Sequence, residues 1–241
     1  MASHEKPELI LRATIECMIT FKELRIGTGA AYACTLCGKR NGVPAGPMPL
    51  SEIDVHIDAI APASVMMRGF EPFKHPNLVG IISQLTQSGV RQIGMRTNGG
   101  ALSSPRDAQG CIEAGVRVFE VPILAGAAKK SDRMSGIQGL HEAALQGVRQ
   151  INASASDLNA NTFVCAIVPI CSHNTNQLIG ITQAALSAGA QAIRIECDDL
   201  SYLDPEVLAV AHTIATRASV SFSGDGCDTF IDGARLYEVI A

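Results

Sequence analysis

Two cysteines, Cys34 and Cys37, stand three positions apart in the run Gly27-Thr28-Gly29-Ala30-Ala31-Tyr32-Ala33-Cys34-Thr35-Leu36-Cys37-Gly38-Lys39-Arg40. Two thiolates at that spacing can reach the same metal ion. The other cysteines (Cys17, Cys111, Cys165, Cys171, Cys197 and Cys227) offer no second close pair, so a zinc site would need ligands from elsewhere. A redox dithiol and two unrelated loop cysteines are the other readings of the pair. A second chemical stretch is Met66-Met67-Arg68-Gly69-Phe70-Glu71-Pro72-Phe73-Lys74-His75-Pro76. Its Gly permits close approach of a ligand to the backbone, its Pro stiffens the turn, and an acid lies between them. A third is Met95-Arg96-Thr97-Asn98-Gly99-Gly100, an Asn-Gly turn with two polar side chains in reach of a ligand. His56, His75, His141, His173 and His212 show no metal-binding spacing, and His4 falls in an expected tail.

The elements that must position these residues follow one pattern. A helix-like stretch ends at a small residue plus Gly, and a β-branched run begins at once. It occurs at Ser88-Gly89-Val90, Ala114-Gly115-Val116 and Ala188-Gly189-Ala190, with a weaker copy at Gln146-Gly147-Val148-Arg149-Gln150-Ile151. Gly suits the left-handed position that ends a helix, and helix–Gly–strand repetition predicts βα units on a parallel sheet. The expected strands are Leu24 to Thr28, Ser64 to Met67, Ile93 to Arg96, Val116 to Val121, Phe163 to Ile170, Ile193 to Ile195 and a short last one at Val220 to Phe222. Helices are expected at Leu78 to Thr86 and Glu206 to Thr216, and Gly42 to Pro49 reads as loop. Polar residues gather at the carboxyl ends of these strands, where α/β barrels carry their active sites. The fold class is therefore α/β, a partial (βα)6 TIM-like barrel of parallel strands, with an open doubly wound sheet as the competing architecture. The expected organisation is an N-terminal extension over 1–20, a barrel core over 21–200 and a helix–strand extension of the same domain over 201–241.

Composition agrees with this. The chain has 241 residues, 47% of them hydrophobic and 4% aromatic, with no Trp. The core must then be aliphatic, as suits parallel strands covered by helices. A net charge of −4 without a basic block argues against nucleic-acid binding. No apolar run reaches the roughly 20 residues that span a bilayer, and no signal-peptide pattern follows the first residues. The expected location is cytoplasmic, with no membrane partner. In that compartment a disulfide framework is not expected, and most of the cysteines should be buried and inert.

Taken in order and spacing, the motifs resemble the radical S-adenosylmethionine (SAM) superfamily over roughly residues 20 to 200. Its members carry Cys-x-x-x-Cys-x-x-Cys after the first strand, Gly-Gly-Glu-Pro after the second and Thr-Asn-Gly after the third. Here Gly69-Phe70-Glu71-Pro72 with His75-Pro76 matches the second, with Phe70 for the second Gly, and Thr97-Asn98-Gly99 matches the third. Val121-Pro122-Ile123-Leu124 and Ser131-Asp132-Arg133-Met134-Ser135-Gly136 look like the fourth strand end and a His-Asp-x-x-x-Gly segment, with Ser131 for the His.

The resemblance implies a 4Fe–4S cluster, bound S-adenosyl-L-methionine, and an electron donor such as flavodoxin or ferredoxin. Reductive cleavage of SAM would give a 5′-deoxyadenosyl radical that takes hydrogen from a small-molecule or peptide substrate. It implies Cys34 and Cys37 as metal ligands, Leu36 against the adenine, and Gly69, Phe70 and Glu71 lining the methionine end. Asn98 and Glu120 would face SAM or its ribose, with a buried strand residue paired with a base as the other reading of Glu120. Cys171, Glu196 and Cys197, at late strand ends, are the candidates for catalysis, and a thiol there could donate hydrogen to a substrate radical. Arg194 alternates with apolar neighbours and is expected to point into the barrel.

One departure bears on activity. The first cluster ligand falls at position 30, which is Ala30, followed by Ala31. A methyl group cannot coordinate iron. Substitutions that remove the cluster, a degenerate member that keeps the fold as a ligand- or partner-binding scaffold, and completion of the site by Cys17, water or a partner residue are the three readings.

Overall fold

The structure, a computed structural model, describes residues 21–28, 46–61, 63–197 and 219–223. Its main sheet has seven strands: β1 (Phe21–Arg25), β4 (Ser64–Arg68), β5 (Ile93–Arg96), β6 (Val116–Pro122), β7 (Phe163–Ile170), β8 (Ala192–Cys197) and β9 (Ser219–Ser223). Their spatial order is their chain order, and every neighbouring pair is parallel. A doubly wound sheet reverses its strand order at a switch point. This sheet has no reversal, so it winds in one direction, as a barrel does. That decides between the two architectures the sequence left open: the chain is a partial (βα)6 TIM-like barrel, with β9 following the sixth unit.

Among the described residues the outer layer consists of α1 (Leu50–Ile60), α2 (Leu78–Gln87), α3 (Pro105–Ala114), α4 (Ala128–Ser135), α5 (Leu140–Asp157) and α6 (Leu178–Ser187). All but α4 present an apolar stripe, for example Ile81, Ile82 and Leu85 on α2, to one face of the strands, whereas α4 buries Met134 in a separate small cluster. One cluster joins these to Val65 and Met67, Met95, Phe119 and Val121, Val164, Ala166 and Val168, and Ile193 and Ile195. Those strand residues alternate, as the two-residue period requires. The intervening positions, including Arg68, Arg96, Glu120, Arg194 and Glu196, face the concave side. At roughly 25 cal/mol per Å² of apolar area buried, this layer supplies the main drive for folding.

The helix-ending glycines behave as expected. Gly89, Gly115 and Gly189 have φ of +74°, +115° and +101°, and a strand follows each. The fourth copy does not hold. Gly147 lies inside α5, where a Cβ would come within 2.5 Å of the Gly99 carbonyl oxygen. That glycine lets the helix rest on the Thr97-Asn98-Gly99 turn. The first expected strand also divides. β1 ends at Arg25, and β2 (Gly27–Thr28) pairs antiparallel with β3 (Gly46–Pro47), inside the stretch read as loop. The expected N-terminal extension, the helix at Glu206 to Thr216, and Ala30, Cys34, Leu36 and Cys37 lie outside the described residues.

Candidate functional site

The loop after β4 and the turn after β5 are joined by one carboxylate. Glu71 Oε1 accepts from Thr97 Oγ1 at 2.6 Å, and Oε2 accepts from the Asn98 backbone N–H at 2.8 Å. The Phe73 N–H adds a longer bond to Oε1 at 3.4 Å. Glu71 is buried, and desolvation pushes its pKa above the ordinary carboxylate value although these donors oppose the rise. Next to it, Gly69 adopts φ +88° and is exposed, with backbone groups open to a ligand. A Cβ on Gly69 would also meet the Gly27 carbonyl oxygen at 2.9 Å.

Phe70 does not fill the position as a free bulky side chain. It packs against the main core, and its Cβ lies 2.7 Å from where a Cβ on Gly27 would stand. The Phe is thus accommodated by a glycine on β2. Asn98 uses Oδ1 to accept from the Gly100 N–H at 2.8 Å, which closes the turn on itself. His75, read as bland from its spacing, braces the loop instead. Its Nε2 donates to the Met48 carbonyl at 3.0 Å while Nδ1 accepts from the Asn77 N–H at 3.1 Å. That pairing fixes its tautomer and ties the chain after β3 to the loop after β4.

On the concave face, Glu120 is 2% exposed and lies at the centre of a charged cluster. Arg68 Nη2 donates to both its oxygens, at 2.9 and 2.7 Å, and Arg194 Nη1 donates to Oε1 at 2.7 Å. Arg96 Nη1 lies 3.8 Å from Oε2. Arg96 makes a two-pronged pair with Glu196, Nη1 to Oε1 at 2.7 Å and Nη2 to Oε2. Burial would lower the Arg96 pKa, but the hydrogen bonds and charge of Glu196 and the charge of Glu120 outweigh it and hold it above its ordinary value. Burial would likewise raise Glu196, but Arg96, then Arg68 and Arg194, hold it below the usual carboxylate range. Glu120 and Glu196 are therefore brought together by shared arginines, and Arg194 points inward as expected. The sequence reading missed Arg68 and Arg96. The signal was there: each is the last residue of its strand, directly after apolar residues and at the inward phase of the alternation.

Cys171 follows β7 and packs on a small cluster of Leu124, Ala125 and Met134. Its Sγ lies 3.9 Å from His173 Nδ1. Asn174, fully buried, holds this corner: Oδ1 accepts from the Cys171 N–H at 2.8 Å, and Nδ2 donates to the carbonyls of Leu124 and Pro169 at 2.9 and 2.7 Å. Nothing in the sequence singled out Asn174, because its partners are backbone groups, two close by at the end of β7 and one on the distant chain after β6. Cys197 closes β8 opposite Ile170, so its backbone stands beside the chain leading to Cys171. Asp132, in the Ser131 to Gly136 segment, caps α5 from outside the helix by accepting from the Gly139 and His141 N–H groups at 2.6 and 3.0 Å. Among the described residues, no three His, Cys, Asp or Glu side chains gather as a metal site, and no helix is long and apolar enough to cross a membrane.

This architecture is the fold of radical SAM enzymes. The chain is similar to SuiB of Streptococcus suis in complex with S-adenosylmethionine, with TM-score 0.65 and 12% identity over 90% of this chain and 53% of SuiB. It is similar to methylornithine synthase (PylB), with TM-score 0.62 and 13% identity over 100% of this chain and 77% of that one. It is also similar to TsrM, a radical S-adenosylmethionine methyltransferase from Kitasatospora setae with cobalamin and a 4Fe–4S cluster bound, with TM-score 0.57 and 13% identity over 85% of this chain and 42% of that one. The chain spans about half the length of SuiB. No protein-family model and no curated protein matches the sequence.

Proposed function

We propose that this chain is a radical SAM-type barrel that receives S-adenosyl-L-methionine across the Gly69–Glu71 loop and the Thr97–Gly99 turn. The observation that carries this reading is the Glu71 carboxylate bonded to Thr97 and Asn98, on a barrel like that of SAM-bound SuiB. The two motifs quoted for the resemblance are thereby one bonded unit at the carboxyl ends of adjacent strands. The residues present fit the methionine end of SAM: Gly69 offers open backbone in a conformation that favours glycine, and Glu71 fixes the loop that carries it.

They do not fit a complete 4Fe–4S cluster. Position 30 carries a methyl group in place of a thiolate, so Cys34 and Cys37 remain as two ligands of an expected three. When bound, the cluster would supply the electron for SAM cleavage. In this chain the barrel's own residues bind and orient while the ligand set stays short. The second reading, a SAM-like barrel that acts as a ligand- or partner-binding scaffold, is favoured by the same residue, Ala30.

The deciding experiment is iron and sulfide content, with the visible spectrum, after anaerobic reconstitution of this chain beside Ala30→Cys. Uptake of about four irons by the variant and little by the parent is the expected result, since a structural or catalytic site holds metal only when its ligand set is filled. No iron in either protein would remove the enzyme reading and leave the scaffold.

A further inference from the structure

The loop that leaves β4 is pinned to the β2–β3 hairpin at both of its ends. At its start the Arg68 carbonyl accepts from the Ile26 N–H at 3.1 Å, and the Ile26 carbonyl accepts from the Met48 N–H at 3.0 Å. At its end His75 Nε2 donates to the Met48 carbonyl at 3.0 Å. Arg68, Ile26, Met48 and His75 thus form a bonded circuit, and the segment from Gly69 to Lys74 closes it. The backbones inside the circuit approach closely. A Cβ on Gly69 would stand 2.9 Å from the Gly27 carbonyl oxygen, and one on Gly27 would stand 2.5 Å from that of Gly46.

One side chain completes the circuit. His75 is buried, and its two nitrogens do different things. The Nδ1 bond from the Asn77 N–H is local and shapes the turn into α2. The Nε2 bond to Met48 joins two separate units and fastens the end of the loop to the hairpin. Glu71 fastens the middle of the same loop to Thr97 and Asn98. Between those two anchors the loop has its own turns, Lys74 N–H to the Glu71 carbonyl and His75 N–H to the Pro72 carbonyl, both at 2.9 Å. A ligand that needs one loop conformation binds with an affinity reduced by the fraction of molecules that hold it.

We propose that His75 is a positioning residue of the ligand site: through Met48 it holds the β2–β3 hairpin against the Gly69–Glu71 loop and keeps that loop in the conformation that receives ligand. The inference rests on the reading of this loop as the S-adenosyl-L-methionine site. It adds that affinity there is set in part by a side chain that touches no ligand.

Two replacements separate the two bonds. The His75→Asn side chain ends near the level of Nδ1, so its carbonyl oxygen still accepts from the Asn77 N–H as an Asx turn does, but it is too short to reach Met48. The His75→Gln side chain reaches further, so its amide N–H replaces the Nε2 donor to Met48 while the Asn77 bond is lost. Calorimetric titration of the intact chain and both variants with S-adenosyl-L-methionine is read beside thermal melts and beside deuterium uptake over residues 69–74 without ligand. The expected result is binding weakened about tenfold in His75→Asn, as loss of one buried hydrogen bond predicts, with faster uptake over the loop. His75→Gln should bind and exchange as the parent does. Parent-like binding by His75→Asn, or equal weakening in both variants, overturns the proposal. Lowered melting temperatures with unchanged affinity of the folded chains also overturn it, because His75 would then be structural alone. Failure of the SAM reading shows separately, as no binding by the parent itself, and the uptake comparison then decides whether His75 holds the loop.

Discussion

Arg96 on β5 grips Glu196 on β8 with both terminal nitrogens, although β6 and β7 lie between them. Three strand spacings amount to about 14 Å on a flat sheet. The pair closes because the sheet curves and its concave faces converge.

Depth orders the energetic weight of this cluster. Glu120, at 2% exposure, holds two guanidiniums, whereas Glu196 is partly open to water. Glu120→Ala should destabilise the fold by about 3–5 kcal/mol, the usual cost of leaving buried charges unpaired. Glu196→Gln should cost roughly 1–3 kcal/mol, in the range for loss of a charged hydrogen-bond partner. Urea unfolding of both variants checks the order, and equal losses would contradict the depth argument.

The pH dependence of these variants has a definite sign. Glu196 is held below its ordinary value of 4.5 in the fold, so its contribution is present above about pH 4.5 and is lost as pH falls through the folded value. Glu71 is raised, so its ionisation works against the fold as pH rises through its folded value. The stability gap between parent and Glu196→Gln should therefore narrow on acidification below about pH 4.5. Unfolding free energies across roughly pH 3 to 7, the range that spans ordinary carboxylate titration, would show it.

Two helical glycines should respond oppositely to the same change. Gly110 on α3 has nothing within 4 Å of an added Cβ, so Gly110→Ala should stabilise by about 0.5–1 kcal/mol from helix propensity. A Cβ added to Gly147 on α5 would stand 2.5 Å from the Gly99 carbonyl oxygen, so Gly147→Ala should instead cost about 1–3 kcal/mol, as overpacking does. Thermal melts of the pair decide this. A stabilised Gly147→Ala would mean that α5 does not rest on the Thr97–Gly99 turn.

Thiol chemistry should separate the described cysteines. Burial, then the charge of Asp107, pushes the Cys111 thiol up to about 12, and Cys165 is buried at 3% exposure, whereas Cys171 is partly exposed beside His173. Thiolate character and access govern reactivity. Under native conditions an alkylating reagent should label Cys171 well before Cys111 or Cys165, as read by peptide mass mapping. Equal rates at all three would place Cys171 inside a closed core.

The sequence by itself determined the parallel α/β class, the positions of the sheet strands after the first and the helix-ending roles of Gly89, Gly115 and Gly189. These follow from local periodicity and from a backbone preference that one residue carries. It also singled out the Gly69–Pro72 and Thr97–Gly99 segments. Only the tertiary structure decided that Gly147 is a contact rather than a helix end, since the Gly99 carbonyl that demands it lies in another unit. The same holds for Glu71, whose partners Thr97 and Asn98 follow the next strand, and for Arg68, Arg96, Glu120, Arg194 and Glu196. In sequence four of these read as polar residues towards strand ends and Arg194 as an inward position within its strand. They become one cluster only when the sheet winds in a single direction and its curvature brings four strands' inner faces within hydrogen-bonding distance.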